Sequence, residues 1–285
     1  MNIAISGSSG FVGSALKAFL THQGHTILPL RIRPTTSIEE IHAVLEKSEV
    51  VINLSGASIL GRWSEKYKKI LRHSRLDTTQ KIVDALRMMS HPPHTFINAS
   101  AVGIYDSIHH HTEDSIEFAD DFLATLVQEW EGCALRAQSS QTRVCCTRFG
   151  VVYGKGGGAM AKMLPPFRWG LGGEMGNADQ MVSWVHIDDL VRIYDRILHT
   201  PSLQGIINVT APHPLTNRDQ TAIMGQLLHR PTFCTIPSWV VKALFGEGSS
   251  VMLESKTVTS AVLEEMGFVF TYPTFEKAFG AIIAS

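Results

Sequence analysis

Residues 3–13 read Ile3-Ala4-Ile5-Ser6-Gly7-Ser8-Ser9-Gly10-Phe11-Val12-Gly13, and an apolar helical pattern continues to Leu20. A strand, then glycines spaced G-x-x-G-x-x-G, then a helix is typical of a dinucleotide-phosphate loop. The first glycine permits the turn, the second lets the backbone approach the pyrophosphate, and the third lets the helix pack on the sheet. Glycines also occur in ordinary turns, but this order predicts a nucleotide site at Gly7, Ser8, Ser9, Gly10, Phe11, Val12 and Gly13, with the helix amides facing the phosphates.

The next segment indicates which dinucleotide binds. A predicted strand, His25–Leu30, is followed by Arg31-Ile32-Arg33-Pro34, and the first acidic residue after it is Glu39. NAD-binding proteins usually carry an Asp or Glu about 20 residues past the glycines, whereas an Arg there suits a 2′-phosphate. Arg31 and Arg33 therefore predict NADP(H). The alternative is that both are solvated loop charges.

Composition limits the class of protein. The chain has 285 residues, of which 44% are hydrophobic and 18% charged, with a formal net charge of −1. These values are typical of an ordinary globular protein with a sizeable core, and they argue against nucleic acid or an anionic membrane as the main partner, so we expect a small-molecule substrate. We expect no membrane span and no signal peptide, because no 18-residue apolar run occurs and Met1 leads directly into the first strand. Four cysteines without a C-x-x-C pair are typical of reduced thiols, so we predict a cytoplasmic protein.

Strand and helix patterns alternate over the first two thirds of the chain. Strands are predicted at 50–54, 95–100, 144–149 and 206–209, and helices at 37–47, 77–89, 120–138 and 188–199, the last capped by Asp188. This alternation predicts a Rossmann-type, doubly wound parallel sheet covered by helices on both faces.

The remaining segments do not continue the alternation of strands and helices. Residues 154–176 are rich in Gly and Pro and predict irregular structure, while the chain after Asn217 is mostly helical, with one strand predicted at 268–272 and a last helix from Phe275. We therefore predict an NADP-binding domain of residues 1–153 and 180–210. Residues 154–179 and 211–285 would form a smaller, mainly helical substrate lobe.

Many ordered segments together point to a family. They are Asn53-Leu54-Ser55-Gly56, Arg62-Trp63, Ser74-Arg75, Ala99 to Tyr105, Asp121 to Ala124, Trp130-Glu131, Arg148 to Val152, Gly156 to Ala159, Lys162 to Arg168, Ser183 to Leu190 and Gly267-Phe268. With these segments the chain resembles the extended short-chain dehydrogenase/reductase superfamily nearly end to end. More closely, it resembles the branch of NAD-dependent epimerase/dehydratase-like proteins called "epimerase family protein", whose short carboxyl-terminal region has no assigned role.

The resemblance implies further cofactor residues. The residues that would lie along the cofactor are Leu54, Ser55, Gly56, Ser100 and Ala101. Arg75 would reach toward the cofactor, and Val152 would line its nicotinamide end. The alternative for Arg75 is a surface helix charge.

The usual catalytic groups of the superfamily are missing. Its enzymes generally use a Tyr and a Lys four residues later, and no Tyr-x-x-x-Lys occurs here. Phe122 and Leu126 stand at those positions, and Ala101 stands where a Ser or Thr is usual. Ser100 is adjacent, but on a strand its side chain faces the other way. Tyr105 is a weak catalytic candidate, with packing as the alternative.

Other side chains suggest a substrate pocket. Trp63, Lys162, Arg168, Trp184 and His186 could line it, the basic pair suiting an anionic group, although a His in this segment is usually structural in the superfamily. The run His109-His110-His111 raises the possibility of a metal, but consecutive residues rarely converge on one ion, so we expect a polar loop and no metal.

Two functions are compatible with these residues. The first is an NADP(H)-binding oxidoreductase or epimerase of the short-chain type, acting on a small polar substrate. The second is a non-catalytic NADP(H) sensor or regulator, because some relatives in the branch are linked to cell or plastid division. The oligomeric state is left open, and an oligomer is compatible with the sequence.

Overall fold

A computed structural model describes residues 1–284 and is built around one six-stranded parallel sheet. Numbered along the chain, the strands are β1 (Asn2–Ser6), β2 (Thr26–Leu30), β3 (Val50–Asn53), β4 (Thr95–Ala101), β5 (His110–His111), β6 (Arg143–Phe149), β7 (Val151–Tyr153), β8 (Met181–Val182), β9 (Trp184–His186), β10 (Gly205–Val209), β11 (Leu215–Thr216) and β12 (Thr257–Val258). The sheet has the order β10-β6-β4-β3-β1-β2, and all of its pairs are parallel. The short strands pair two by two outside it, β7 with β9, β8 with β11 and β5 with β12.

Helices cover both faces of the sheet. They are α1 (Phe11–His22), α2 (Ile38–Leu45), α3 (Glu65–Arg87), α4 (Phe122–Leu135), α5 (Met160–Arg168), α6 (Ile187–Leu198), α7 (Asn217–Leu228), α8 (Ser238–Phe245), α9 (Ser250–Leu253), α10 (Ala261–Glu265) and α11 (Phe275–Ala284). Helices α1 and α6 lie on one face and α2, α3 and α4 on the other. The prediction of a doubly wound parallel sheet is therefore confirmed.

The buried strands explain why the sequence is apolar without alternation. Ile3 and Ile5 of β1 pack in the same core cluster as α1 and α6, while Ala4 between them packs with α2 and α3. All three side chains are fully buried. Both faces of β1 therefore need apolar residues, as is usual for a parallel sheet.

The carboxyl-terminal segments build a third core. Helices α5, α7 and α11 pack around Tyr153, Trp184 and Phe275, whose rings meet edge to face or tilted at centroid distances of 5.4–6.2 Å. In the described part of the chain, no helix combines the length and apolar character needed to cross a bilayer. Cys133, Cys145, Cys146 and Cys234 are free thiols, and the first three are buried.

Two segment predictions were wrong in kind. Residues 268–272 are not a strand, because their backbone groups bond to α6: Asp189 accepts from the amides of Thr271 and Tyr272 at 2.8 Å, and Arg192 donates to the carbonyl of Val269 at 2.9 Å. The segment 154–176 contains α5, which was missed because Pro165 and Pro166 lie inside it. Prolines lack the amide hydrogen that a helix interior normally uses, so the pattern indicated a loop.

Two helix starts also differ from the prediction. Helix α3 begins at Glu65 rather than Asp77, with Ser64 accepting a capping bond from the amide of Tyr67 at 3.2 Å. Its first half is rich in charged residues, which hid the helical period. Helix α6 is capped by His186, whose Nδ1 accepts from the amide of Asp188 at 3.2 Å. Asp188 was therefore wrongly assigned as the cap, and lies in the first turn.

Candidate functional site

The glycine turn after β1 has the geometry that a phosphate loop requires. Gly7 has φ of +72°, a left-handed conformation that favours glycine, and its carbonyl accepts from the amide of Gly10 at 3.0 Å. A Cβ on Gly13 would overlap the backbone of Gly7 and Ser8, so α1 lies directly against the turn. A Cβ on Gly10 would meet only the Gly7 oxygen, at 3.4 Å, and Gly10 is exposed. The space in front of Gly10 is therefore open to a ligand.

The amino terminus of α1 offers free donors without a competing anion. Its N-cap is Gly10, which supplies no side-chain cap, and the first turn contains no acidic residue. By contrast, α2, α3 and α4 are capped by the side chains of Ser37, Ser64 and Asp121. Backbone N–H groups at a helix start have no intrahelical acceptor and lie at the positive end of the helix dipole. This terminus fits a pyrophosphate.

Arg31 and Arg33 lie just after β2, which is the edge strand beside β1, and both side chains are exposed. The loop that carries them is held by Lys81 of α3. The Lys81 ammonium donates to the carbonyl oxygens of Arg33, Pro34 and Thr36 at 3.1, 2.8 and 2.8 Å. An ammonium has three N–H donors, so all three are directed at one loop.

Lys81 was missed by sequence reasoning. It lies 45–48 residues from its acceptors, and its acceptors are backbone carbonyls, which carry no sequence signal. The available sequence signal for such a role was a Lys placed next to the apolar positions of a predicted amphipathic helix.

A buried polar network forms the floor of the site. Asn53, at the end of β3, accepts from the Ser6 hydroxyl at 2.5 Å and from the amide of Ser55 at 3.2 Å. Its amide nitrogen donates to Asn98 at 2.7 Å and to Thr79 at 3.0 Å. These bonds join the carboxyl ends of β1, β3 and β4 and fix the direction in which Leu54, Ser55 and Gly56 leave the sheet.

Among the described residues, Arg75 is a cation without an anionic partner. It donates to the carbonyls of Leu71 at 3.2 Å and Ala57 at 3.1 Å, and its guanidinium lies 5.2 Å from the centre of the Trp130 ring and against Gly56. Among residues 1–284, no carboxylate lies within 4.0 Å of it. Burial lowers the pKa of Arg75 to about 10. An anionic ligand group would offset this charge.

Phe11 connects the glycine turn to residues 154–158. Side chains at Gly154, Gly157 or Gly158 would run into its ring, which explains the glycines there. A Cβ on Gly158 would also come within 2.9 Å of the Val152 carbonyl. Val152, on β7, is thus held near the start of α1.

The helix that usually carries the catalytic pair is apolar at those positions. Leu126 is buried, and the Phe122 ring packs edge to face on Trp63 at 5.6 Å. The Ser100 hydroxyl donates to Glu131 at 2.5 Å, and Glu131 also accepts twice from Arg148 at 2.7 and 2.8 Å. The side chain of Ser100 is therefore occupied in the core, and only its backbone is left for a cofactor.

The structure argues against Tyr105 as a catalytic group. A 3₁₀ turn at Val102–Ile104 directs its side chain into the core, where it is fully buried. Its hydroxyl accepts from Arg148 at 2.7 Å and lies 2.9 Å from both the Thr112 carbonyl and Asn208 Oδ1. Burial is also the main cause of a raised pKa of Tyr105.

Three of the five predicted pocket residues are buried and hydrogen-bonded within the protein. The Trp63 indole donates to Ile59 at 3.0 Å, that of Trp184 donates to His213 at 3.0 Å, and His186 caps α6 with its ring 4.1 Å from that of Tyr272. Burial lowers the pKa of His186. The other two, Lys162 and Arg168, are exposed on α5.

The histidine run is a short strand rather than a loop. Residues His110 and His111 form β5, and neighbouring side chains on a strand point to opposite faces. His110 is exposed, while His111 is buried and hydrogen-bonds Asp106 at 3.0 Å.

Known proteins share this fold and sequence. A family model described as the NAD dependent epimerase/dehydratase family matches residues 3–210. The chain belongs to this family. A second model, a domain of unknown function (DUF1731), matches residues 236–282. The resemblance predicted from the sequence is thus confirmed.

Two family members illustrate how complete the match is. The epimerase family protein SDR39U1 of Mus musculus is 36% identical over 294 residues, covering all of both chains. A chloroplastic homologue from Arabidopsis thaliana is 35% identical over 303 residues, covering 99% of this chain and 87% of the homologue.

Two solved structures bear on the site and the fold. Human epimerase family protein SDR39U1 (isoform 2), crystallised with NADPH, superposes with a TM-score of 0.94 at 34% identity over all of both chains. MoeE5 in complex with UDP-glucose and NAD gives a TM-score of 0.80 at 18% identity, covering 100% of this chain and 98% of MoeE5, and shares the fold alone.

Proposed function

We propose that this family member binds NADP(H) and acts as an oxidoreductase or epimerase on a small polar substrate. The observation that carries the proposal is the uncapped start of α1, with an open space before Gly10 and the exposed Arg31 and Arg33 on the adjacent edge of the sheet. The NADPH in the human relative supports the same cofactor.

Each part of the site would have a role in holding the dinucleotide. The free amides at the start of α1 would bind the pyrophosphate, and the arginine loop would bind the 2′-phosphate by charge-assisted hydrogen bonds. The segment Leu54 to Gly56 would lie along the cofactor, with the backbone of Ser100 and Ala101. Arg75, whose guanidinium donates to the carbonyls of Leu71 and Ala57, would reach toward it. Val152 would lie at the nicotinamide. When bound, the cofactor supplies hydride transfer.

The second lobe would hold the substrate. We assign residues 1–153 and 180–210 to the cofactor domain and residues 154–179 and 211–285 to the substrate lobe. Lys162 and Arg168 would attract an anionic substrate group, since both are exposed on α5 and α5 follows the glycine segment packed on Phe11. The free thiols support a cytoplasmic location.

One observation favours a second function, an NADP(H)-dependent regulator without turnover. The positions of the usual catalytic pair are held by Phe122 and Leu126, and Tyr105 is fully buried. None of the three can exchange a proton with a substrate. If the chain is an enzyme, its proton donor is therefore not a lysine-activated tyrosine.

The test separates cofactor binding from turnover. Purified protein is incubated with NADPH or NADP⁺ and a panel of aldehydes, ketones and nucleotide sugars, and cofactor oxidation state and sugar products are followed. Turnover with any substrate that disappears in a Lys162→Ala variant supports the enzyme. Tight NADPH binding without any turnover would overturn it in favour of the regulator.

A further inference from the structure

Three potential metal ligands lie close together at the amino ends of the strands, whereas the glycine turn lies at the carboxyl ends. His25, Asp195 and His199 each offer one ligand atom, and the three atoms lie within 4.8 Å of one another. His25 directly precedes β2, and Asp195 and His199 are one turn apart at the end of α6. Since α6 runs back to the amino ends of the strands, this cluster is remote from the proposed cofactor site.

Asp195 carries a buried oxygen that accepts no hydrogen bond. Its Oδ1 atom is inaccessible to solvent, has no hydrogen-bond partner among the described residues, and lies 3.4 Å from His199 Nδ1, an ion pair only when that imidazole is protonated. The side chain as a whole is about one-third exposed, so an ion could reach it. A buried carboxylate oxygen that accepts no hydrogen bond is costly, and a metal ion bound next to it would lower that cost.

Both imidazoles have a polar partner at Nδ1. His199 Nδ1 lies 2.9 Å from the backbone carbonyl of Asp195; donating to that carbonyl leaves the lone pair on Nε2 free. A backbone carbonyl is a common orienting partner for a metal-bound His. His25 Nδ1 lies 3.2 Å from the amino group of Met1.

We propose that His25, Asp195 and His199 form a binding site for a divalent transition metal of the zinc class. Two imidazoles and one carboxylate leave a fourth tetrahedral position for water. The ion would tie the end of α6 to the start of β2 and thereby stabilise the fold. The proposal is independent of NADP(H).

The experiment uses the full chain without a polyhistidine tag. Zn²⁺ is titrated while the melting temperature is followed, and Co²⁺ is titrated while its visible absorption is followed. We expect a higher melting temperature with Zn²⁺ and the intense bands of tetrahedral Co²⁺. His199→Ala, at an exposed position, should weaken binding about tenfold or more, and Asp195→Asn should do the same while keeping the side-chain shape.

His73→Ala is the matched control. His73 and Asp77 also form a His/Asp pair four residues apart on a helix, with 3.0 Å between Nδ1 and Oδ2, but outside the three-residue cluster. The control should bind Zn²⁺ like the wild type. Absence of any Zn²⁺-dependent melting shift, or equal losses in the His73 and His199 variants, would overturn the proposal.

Discussion

The ammonium of Lys81 donates to the carbonyl oxygen of Thr36 at 2.8 Å, so a residue of α3 holds the loop that carries Arg31 and Arg33. Thr36 in turn accepts from the amide of Arg33 at 2.9 Å through its hydroxyl. The loop is thus fixed from both sides before a ligand arrives. In the proposed site, an ordered loop reduces the conformational entropy that is lost when Arg31 and Arg33 bind a 2′-phosphate.

Lys81→Met tests this positioning. The variant keeps the aliphatic stem but loses three donors, so we expect NADPH affinity to fall roughly fivefold, equivalent to about 1 kcal/mol, while NADH affinity is unchanged. Calorimetric titration with both cofactors measures the ratio. Lys69→Met, at an exposed position of the same helix, is the control and should bind both cofactors like the wild type. Equal losses for NADPH and NADH would indicate general damage rather than positioning.

Gly10→Val should abolish cofactor binding in a folded protein. A Cβ at Gly10 meets only one backbone oxygen, at 3.4 Å, and its φ of −75° is accessible to valine. The branched side chain would instead occupy the space proposed for the pyrophosphate. Circular dichroism checks the fold and fluorescence titration checks NADPH.

Gly13→Val provides the contrast to Gly10→Val. Its Cβ would overlap the backbone of Gly7, so this variant should be destabilised even without cofactor. Normal NADPH binding by folded Gly10→Val protein would mean that the glycine turn is not the phosphate site.

Local sequence was sufficient for the parts of the fold whose residues interact within one element or its turn. The β1 strand, the turn at Gly7 and the packing of Gly13 follow from apolar runs and glycine spacing, and the cap at Ser37 is formed with the amide of Glu40 as its spacing indicated. These features depend on contacts a few residues apart.

Tertiary contacts explain what the sequence could not predict. Residues 268–272 look like a strand by composition, yet Asp189 and Arg192 take up their backbone groups. The side chains of Trp184 and Tyr105 are of types found both in pockets and in cores. In this protein both are held in the core, Trp184 by a hydrogen bond to His213 and Tyr105 by one from Arg148. Such partners lie tens of residues away and leave no local pattern.

Tyr105→Phe should affect stability more than function. Removing the hydroxyl deprives buried Arg148 of an acceptor 2.7 Å away, so we expect the free energy of unfolding to fall by about 1–3 kcal/mol. Urea denaturation measures this change. NADPH affinity should stay within roughly twofold of the wild type, and any turnover should fall less than about tenfold. A hundredfold loss of turnover in a folded variant would restore Tyr105 as an acid-base group.

Arg31→Asp should invert the cofactor preference. The carboxylate would repel a 2′-phosphate and could accept hydrogen bonds from the ribose hydroxyls of NADH, as an acidic residue does in NAD-binding proteins. We expect NADPH affinity to fall about tenfold or more and NADH affinity to hold or rise. Arg196→Ala, an exposed arginine of α6, should leave both affinities unchanged.

The central claim is that the site at α1 and the arginine loop selects a dinucleotide with a 2′-phosphate. Isothermal titration of the wild-type protein with NADPH and with NADH, under the same salt conditions, tests it most directly. Charge-assisted bonds of about 1.5–3 kcal/mol each predict that NADPH binds roughly tenfold or more tightly than NADH. Equal affinities for the two cofactors would contradict the account.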